Sequence, residues 1–309
     1  MKRKRWLCML FSCLMLLCAC DGTGNNDTDE DYPTAYEASP KRTISELLLA
    51  ESPEINVIED QNHRIRIDYS NAHLGYIRIK RLLEDDRRIK FKILNNEEGN
   101  EGWYDLDRTG EYETFPLVNG SGTYTIKMGL QNPESGKYLI STPAEFEVQL
   151  DNELTPFLYP NQIVAYTADS MTIRKAFELC ANDDTDLQRV KTIYDYVVSN
   201  ISYDYDKLER IKNNYTLPDL DGTLESGKGI CFDYAGVMAA MCRSQHIPCR
   251  VVTGDTDIET HAWVEVWLKG IGWINPEIEF KGKSWTQMDP TFTSTKANYK
   301  GEYIAHNYY

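Results

Sequence analysis

The chain is 309 residues long, room for two domains of ordinary size, and its formal net charge is −15. So acidic a surface repels nucleic acid and anionic lipid headgroups, and neither is an expected partner. No C-x-x-C pair stands beyond the N-terminal segment and no H-E-x-x-H run occurs, so no metal or cofactor site is expected.

Lys2 to Arg5 form a basic cluster, and Trp6 to Ala19 is an apolar run of 14 residues. A run that short does not comfortably cross a bilayer and reads as the core of a signal peptide over residues 1–19. Its end, Leu17-Cys18-Ala19-Cys20, resembles the lipobox of bacterial lipoproteins. The resemblance implies cleavage before Cys20, lipid on Cys20, and an exported chain anchored at the outer face of a bacterial membrane. A general secretory signal cut nearby is the alternative. Cleavage removes four positive charges and no negative ones, taking the net charge from −15 to −19. Cys180, Cys231, Cys242 and Cys249 remain, too small a set for a disulfide scaffold. Residues 20–45 are rich in Asp, Glu, Thr, Asn and Gly, as expected of an acidic flexible tether.

Residues 46–151 alternate with a period of two. Ile65, Ile67 and Tyr69 alternate with Arg64, Arg66 and Asp68, and Ile89, Phe91 and Ile93 alternate with Lys90 and Lys92. Tyr124, Ile126, Met128 and Leu130 follow the turn signal Asn119-Gly120-Ser121-Gly122, and Phe146, Val148 and Leu150 close the series. Each run predicts a strand with one dry face; about seven such strands predict an all-β immunoglobulin-like sandwich. No cluster of catalytic residue types falls within it.

Residues 152–309 read as a second, α+β domain, reached through a connection at Asp151 to Pro160. Ile173, Ala176, Phe177 and Cys180 share one helical face, so Cys180 packs in a core. Thr185-Asp186-Leu187-Gln188 has the capping-box pattern and opens a second helix, with Leu187, Val190, Tyr194, Val197 and Val198 along its stripe. A polar, aromatic loop through Tyr203, Tyr205, Asn213, Asn214 and Tyr215 follows. Gly227 and Gly229 then make a turn into a helix carrying Tyr234, Val237, Met238 and Met241 on one face, with Cys231 in its first turn. Unsatisfied backbone N–H groups and the positive end of the helix dipole favour the reactive thiolate there, and the same N–H groups suit an oxyanion. The plain alternative is a small buried hydrophobe.

Beyond this helix, Pro248 to Gly254 has strand character, and His261 to Leu268 alternates strictly, with His261 on the less apolar face. Gly270 to Trp273 makes a hairpin, and Ser284 to Met288 is a further strand ending at Asp289, which Pro290 biases to an extended conformation. The tyrosine-rich tail packs back on the domain. Thiol acyl transfer needs a nucleophile, an imidazole and a group that orients the imidazole; Cys231, His261 and Asp289 offer the three.

Three blocks carrying these residues, Gly-Lys-Gly-Ile-Cys-Phe-Asp-Tyr-Ala (227–235), His-Ala-Trp-Val-Glu-Val (261–266) and Trp-Thr-Gln-Met-Asp-Pro-Thr-Phe (285–292), resemble the signature blocks of the transglutaminase-like superfamily, in order. The resemblance covers about half the chain and implies a papain-like core of helices packed on an antiparallel sheet. It also implies Cys231 as nucleophile, His261 as general base and acid, and Asp289 as the imidazole's orienter. Glu265, Asn275 and Glu277 are rivals for the third role, and Asn214 and Tyr215 are positional candidates for a second oxyanion donor. Asp233 reads as a solvated first-turn carboxylate, His246 as too far along its helix, and Trp263 and Trp285 as packing residues. The expectation is an enzyme acting on an amide of a protein or peptide substrate through a thioester. A non-catalytic surface adhesion or assembly module with the same fold is its rival.

Overall fold

The computed structural model describes residues 34–211, 216–257, 259–274, 289–295 and 301–309. The signal segment, Cys20, Asn213 to Tyr215, Asn275, Glu277, Trp285 and the strand expected at 284–288 lie outside the described residues.

The N-terminal half builds two antiparallel sheets. β1 (Val57–Glu59), β2 (Ile65–Asp68), β3 (Tyr76–Arg81) and β7 (Glu113–Pro116) form one in that order. β4 (Ile89–Asn95) is central to the other, flanked by β5 (Glu98–Gly99) and β6 (Tyr104–Leu106) on one edge, with β8 (Gly122–Gln131) and then β9 (Tyr138–Val148) on the other. The period of two sets the burial: Ile65, Ile67, Ile89, Phe91, Tyr124, Ile126 and Met128 are at most 1% exposed, while Lys90 and Lys92 reach solvent. Each such Ile or Phe contributes about 1.5–3 kcal/mol on burial. The sheets meet at Phe91 of β4, edge-on to Phe115 of β7 with centroids 4.6 Å apart.

The connection after β9 is packed rather than loose, with Leu154, Phe157, Leu158, Ile163 and Val164 all buried. The tether expected to run to residue 45 also needs correction. From Thr34 onward the chain is docked: Ala35 donates its N–H to the Lys269 carbonyl, and Leu187 donates to the Ala35 carbonyl. Ser39 joins Asp186 and the buried Arg189 in a hydrogen-bonded cluster. A polar composition conceals this because the docking uses backbone groups and charged side chains, not apolar bulk.

Among the described residues of the C-terminal half, helices pack on a four-stranded antiparallel sheet, a mixed α/β arrangement. α1 (Met171–Leu179) and α2 (Asp186–Asn200) come first, and Thr185 caps α2 with Gln188 closing the box. The stretch expected as loop contains two short helices, α3 (Tyr205–Ile211) and α4 (Leu220–Ser226). Asp219 caps α4, and Asp221 accepts N–H bonds from Met171 and Thr172, capping α1 from another element. α5 (Cys231–Ser244) is the central helix and packs on α1, α2 and the sheet. The sheet order is β14 (Gly272–Ile274), β13 (Thr260–Leu268), β12 (Cys249–Thr256) and β15 (Tyr303–Tyr308). β15 is the tyrosine-rich tail, joined to β12 across a bulge at Thr253 and Gly254. Arg243 of α5, fully buried, ties the parts together by donating to the carbonyls of Cys249, Tyr159 and Tyr309.

Candidate active site

The approach to Cys231 is fixed by its local sequence. Gly227 ends α4 in the left-handed region at φ 61°, which a side chain would strain. Lys228–Gly229 (β11) then pairs in parallel with Ser202–Tyr203 (β10), and a Cβ on Gly229 would lie 2.8 Å from the Asp233 Cβ. Cys231 follows as the first residue of α5, half-buried, with its thiol free. Asp233 is not the solvated carboxylate expected. It is 1% exposed, accepts the Ile230 N–H at 2.9 Å, and holds Lys207 Nζ at 2.7 Å through both oxygens. The pair pins the turn on which the thiol stands, and α3 supplies its cation.

His261 lies on β13 opposite Gly254 and is 2% exposed. The less apolar face of this strand is covered too: every residue from His261 to Leu268 is buried, Trp263 and Trp267 among them. The imidazole stacks on Phe292 at 4.5 Å and 10°. Its Nε2–H donates to Asp289 Oδ2 at 2.6 Å. Nδ1, on the other side of the ring, has no hydrogen-bond partner; the Glu259 carboxylate stands 3.8 Å away. Burial opposes the charged ring, but the hydrogen bonds of Asp289 and Cys231, and then their charges, outweigh it and raise its pKa from 6.5 to about 10. The thiol is therefore within electrical reach of the imidazole.

Asp289 is extended and caps α6 (Pro290–Ser294), a helix not anticipated from the sequence. Its two oxygens divide the work. Oδ1 accepts the N–H groups of Thr291 and Phe292 at 2.9 and 3.0 Å, and Oδ2 accepts His261 Nε2 and the Tyr303 hydroxyl, the latter at 3.2 Å. α6 is held in turn by Tyr194 of α2, through Thr293 at 2.6 Å, and by Tyr234 of α5, through Ser294 at 2.9 Å.

The structure thus brings His261 and Asp289 into direct contact, and Cys231 acts on the pKa of the ring. Glu265 instead pairs with Arg250 at 2.5 Å, and His246 bonds the Glu46 carbonyl. His63, His73 and His306 each face carboxylates elsewhere. Trp263 packs edge-on to Tyr303 at 5.0 Å. Four residues were missed: Tyr303, Phe292, Lys207 and Tyr203, whose phenol is pushed up by burial and by the charge of Cys231. Only Phe292, three residues beyond Asp289, carried a signal, since it stands inside the third block. Among the described residues, no group of three or more His, Cys, Asp or Glu side chains could hold a metal ion.

Residues 173–290 match the family model of the Transglutaminase-like superfamily. The chain contains a transglutaminase-like domain. Over 121 residues it is 28% identical to the uncharacterized protein YebA of Bacillus subtilis (strain 168), covering 33% of this chain and 16% of that relative. The chain therefore spans about a sixth of that curated relative. Among solved structures it is similar to a candidate cysteine protease from Cytophaga hutchinsonii, with TM-score 0.38 and 13% identity over 76% of this chain and 83% of that one. It is also similar to red sea bream transglutaminase, with TM-score 0.26 and 12% identity over 64% of this chain and 47% of the other. The matched span of the transglutaminase-like domain runs from α1 to the first residue of α6, so it holds Cys231, His261 and Asp289 but not Tyr303. The last strand is thus a contribution from outside the matched region.

Proposed function

We propose that the chain is a thiol enzyme that transfers or hydrolyses the acyl group of an amide through a thioester at Cys231. The observation that carries the reading is the imidazole of His261, buried, bonded to Asp289 at 2.6 Å, and with a pKa that Asp289 and Cys231 together raise to about 10. A ring so held takes the thiol proton and keeps it at neutral pH. The thiolate attacks the amide carbonyl carbon, and the imidazolium gives its proton to the departing amine as the C–N bond breaks. Water or an amine then attacks the thioester, the imidazole takes the proton of that nucleophile, and the thiolate is released. Asp289 keeps the Nε2–H in place throughout, and the Cys231 N–H, first on α5, is positioned to meet the developing oxyanion.

The same reading takes residues 46–151 as an immunoglobulin-like sandwich and 152–309 as the catalytic unit. The interleaving of β2, β3 and β7 in one sheet with β4, β8 and β9 in the other supports the former. It takes the substrate as a protein or peptide met outside the cell, with the chain held to the membrane by lipid on Cys20; Cys20→Ser should then move the chain to the soluble fraction. Incubation of the protein and its Cys231→Ala variant with cell-surface proteins and peptides, followed by mass spectrometry, tests the chemistry. Loss of an amide with gain of water, or of an amine, that depends on Cys231 supports the reading. Identical spectra with both proteins favour a non-catalytic adhesion module.

A further inference from the structure

A cavity of about 560 Å³ lies away from the candidate active site, between the first sheet and the connecting segment, and none of Cys231, His261 or Asp289 lines it. Its walls include Arg78 of β3, Glu113 of β7, Asn161 and Gln162. Asn161 and Gln162 are 5% and 8% exposed, yet each has one polar atom without a partner: Asn161 Nδ2 and Gln162 Oε1. Their amides cannot be turned to cure this. Asn161 Oδ1 already accepts the N–H groups of Ile163 and Val164, both at 2.9 Å. Gln162 Nε2 already donates to the Asp105 carbonyl at 2.7 Å and to Glu113 Oε2 at 2.6 Å. Arg78 completes the set. Its terminal nitrogens donate to the carbonyls of Ala50 and Tyr112, no carboxylate among the described residues is ion-paired with it, and its Nε–H is buried and unpartnered.

Buried polar atoms are almost always satisfied, and a guanidinium with a buried, unpartnered Nε–H beside two fixed, loose amide atoms asks for a ligand. We infer that this cavity binds a small carboxylate-bearing amide of about dipeptide size, its carboxylate accepting from Arg78 Nε and Asn161 Nδ2 and its N–H donating to Gln162 Oε1. The volume falls within the range of small-molecule sites. Glu113, the acidic wall residue, has its oxygens engaged by the Asp107 N–H and by Gln162, and burial pushes its carboxyl up. It therefore sits on the N–H side of the ligand.

Calorimetric titration of the full chain with N-acetyl-glycyl-glycine and with its C-terminal amide tests this. The carboxylate should bind, and the neutral amide should bind at least about ten-fold more weakly, as loss of a charge-assisted bond implies. Asn161→Asp keeps the oxygen that Ile163 and Val164 need but replaces the loose donor with an acceptor. It should weaken the carboxylate by about ten-fold or more while the melting temperature and the alkylation of Cys231 stay unchanged. Arg78→Met should weaken the carboxylate likewise while the alkylation of Cys231 stays unchanged. No heat of binding from either peptide at millimolar concentration, equal binding of the two, or a folded Asn161→Asp protein that binds as the wild type would each overturn the inference.

Discussion

Replacing Asp289 with asparagine separates the geometric from the electrical part of the site. Oδ1 of Asp289 accepts two backbone N–H groups, from Thr291 and Phe292, so the asparagine must place its oxygen there and turn its NH2 toward His261 Nε2 and the Tyr303 hydroxyl. An NH2 group only donates. Nε2 must then accept, which moves the ring proton to Nδ1, the nitrogen that Asp289 does not hold. An Nδ1 that already carries hydrogen cannot take the thiol proton. The lost charge-assisted bond is worth about 1.5–3 kcal/mol, which converts to alkylation of Cys231 slowed by about 10- to 150-fold at neutral pH. Iodoacetamide labelling followed by peptide mass spectrometry reads the rate site by site. Cys180, buried and with its thiol pushed up to about 12, serves as the slow internal reference. A folded Asp289→Asn protein labelled at the wild-type rate would refute the reasoning.

Because the pKa of His261 is raised on folding, between 6.5 and about 10 the folded chain holds a ring proton that the unfolded chain has lost. Its stabilising contribution is complete below the ordinary value of 6.5 and is lost as pH rises to about 10, at up to about 1.4 kcal/mol per pH unit across that window. Urea melts of the wild type and His261→Phe over that range should differ in slope, and parallel slopes would remove the shift from the account. Lys207→Met strands the buried carboxylate of Asp233 (side-chain exposures 18% and 1%), so a loss near the lower end of about 3–5 kcal/mol is expected in the same assay. Gly254→Ala would drive a Cβ into the Ile304 carbonyl at the bulge. The expected cost is about 1–3 kcal/mol, together with slower Cys231 alkylation as Tyr303 moves off Asp289; unchanged labelling would detach the last strand from the site.

What could be read from the sequence was what local chemistry writes down. The capping box at Thr185, the glycine turn before Cys231, and the alternation in β2, β4 and β8 each depend on neighbours a few residues apart. The transglutaminase-like domain was likewise legible, because its blocks are contiguous. The rest depends on partners distant along the chain. Asp233 looks like a surface carboxylate until Lys207, 26 residues earlier, is folded against it. The segment from Thr34 looks like tether until Arg189 gathers Ser39. β13 alternates on paper, but two positions on its less apolar face are tryptophans, so both faces could be buried and are.

The placement of Asp289 shows why this residue type is needed where it stands. A carboxylate that caps its own helix must be short enough to turn back to the N–H groups two and three residues on, which aspartate does and a longer acid does less well. Capping consumes one oxygen and leaves the other aimed outward at His261. Pro290 takes the first helical position, where no N–H is wanted and φ is already set. A helix of five residues cannot hold such an arrangement by its own hydrogen bonds, so the anchoring falls to Tyr194 and Tyr234. The carboxylate's position is thereby tied to α2 and to α5, the helix that begins at Cys231. Sulfur and carboxylate are thus set by one packed unit, with the imidazole clamped between Phe292 and the rest of β13.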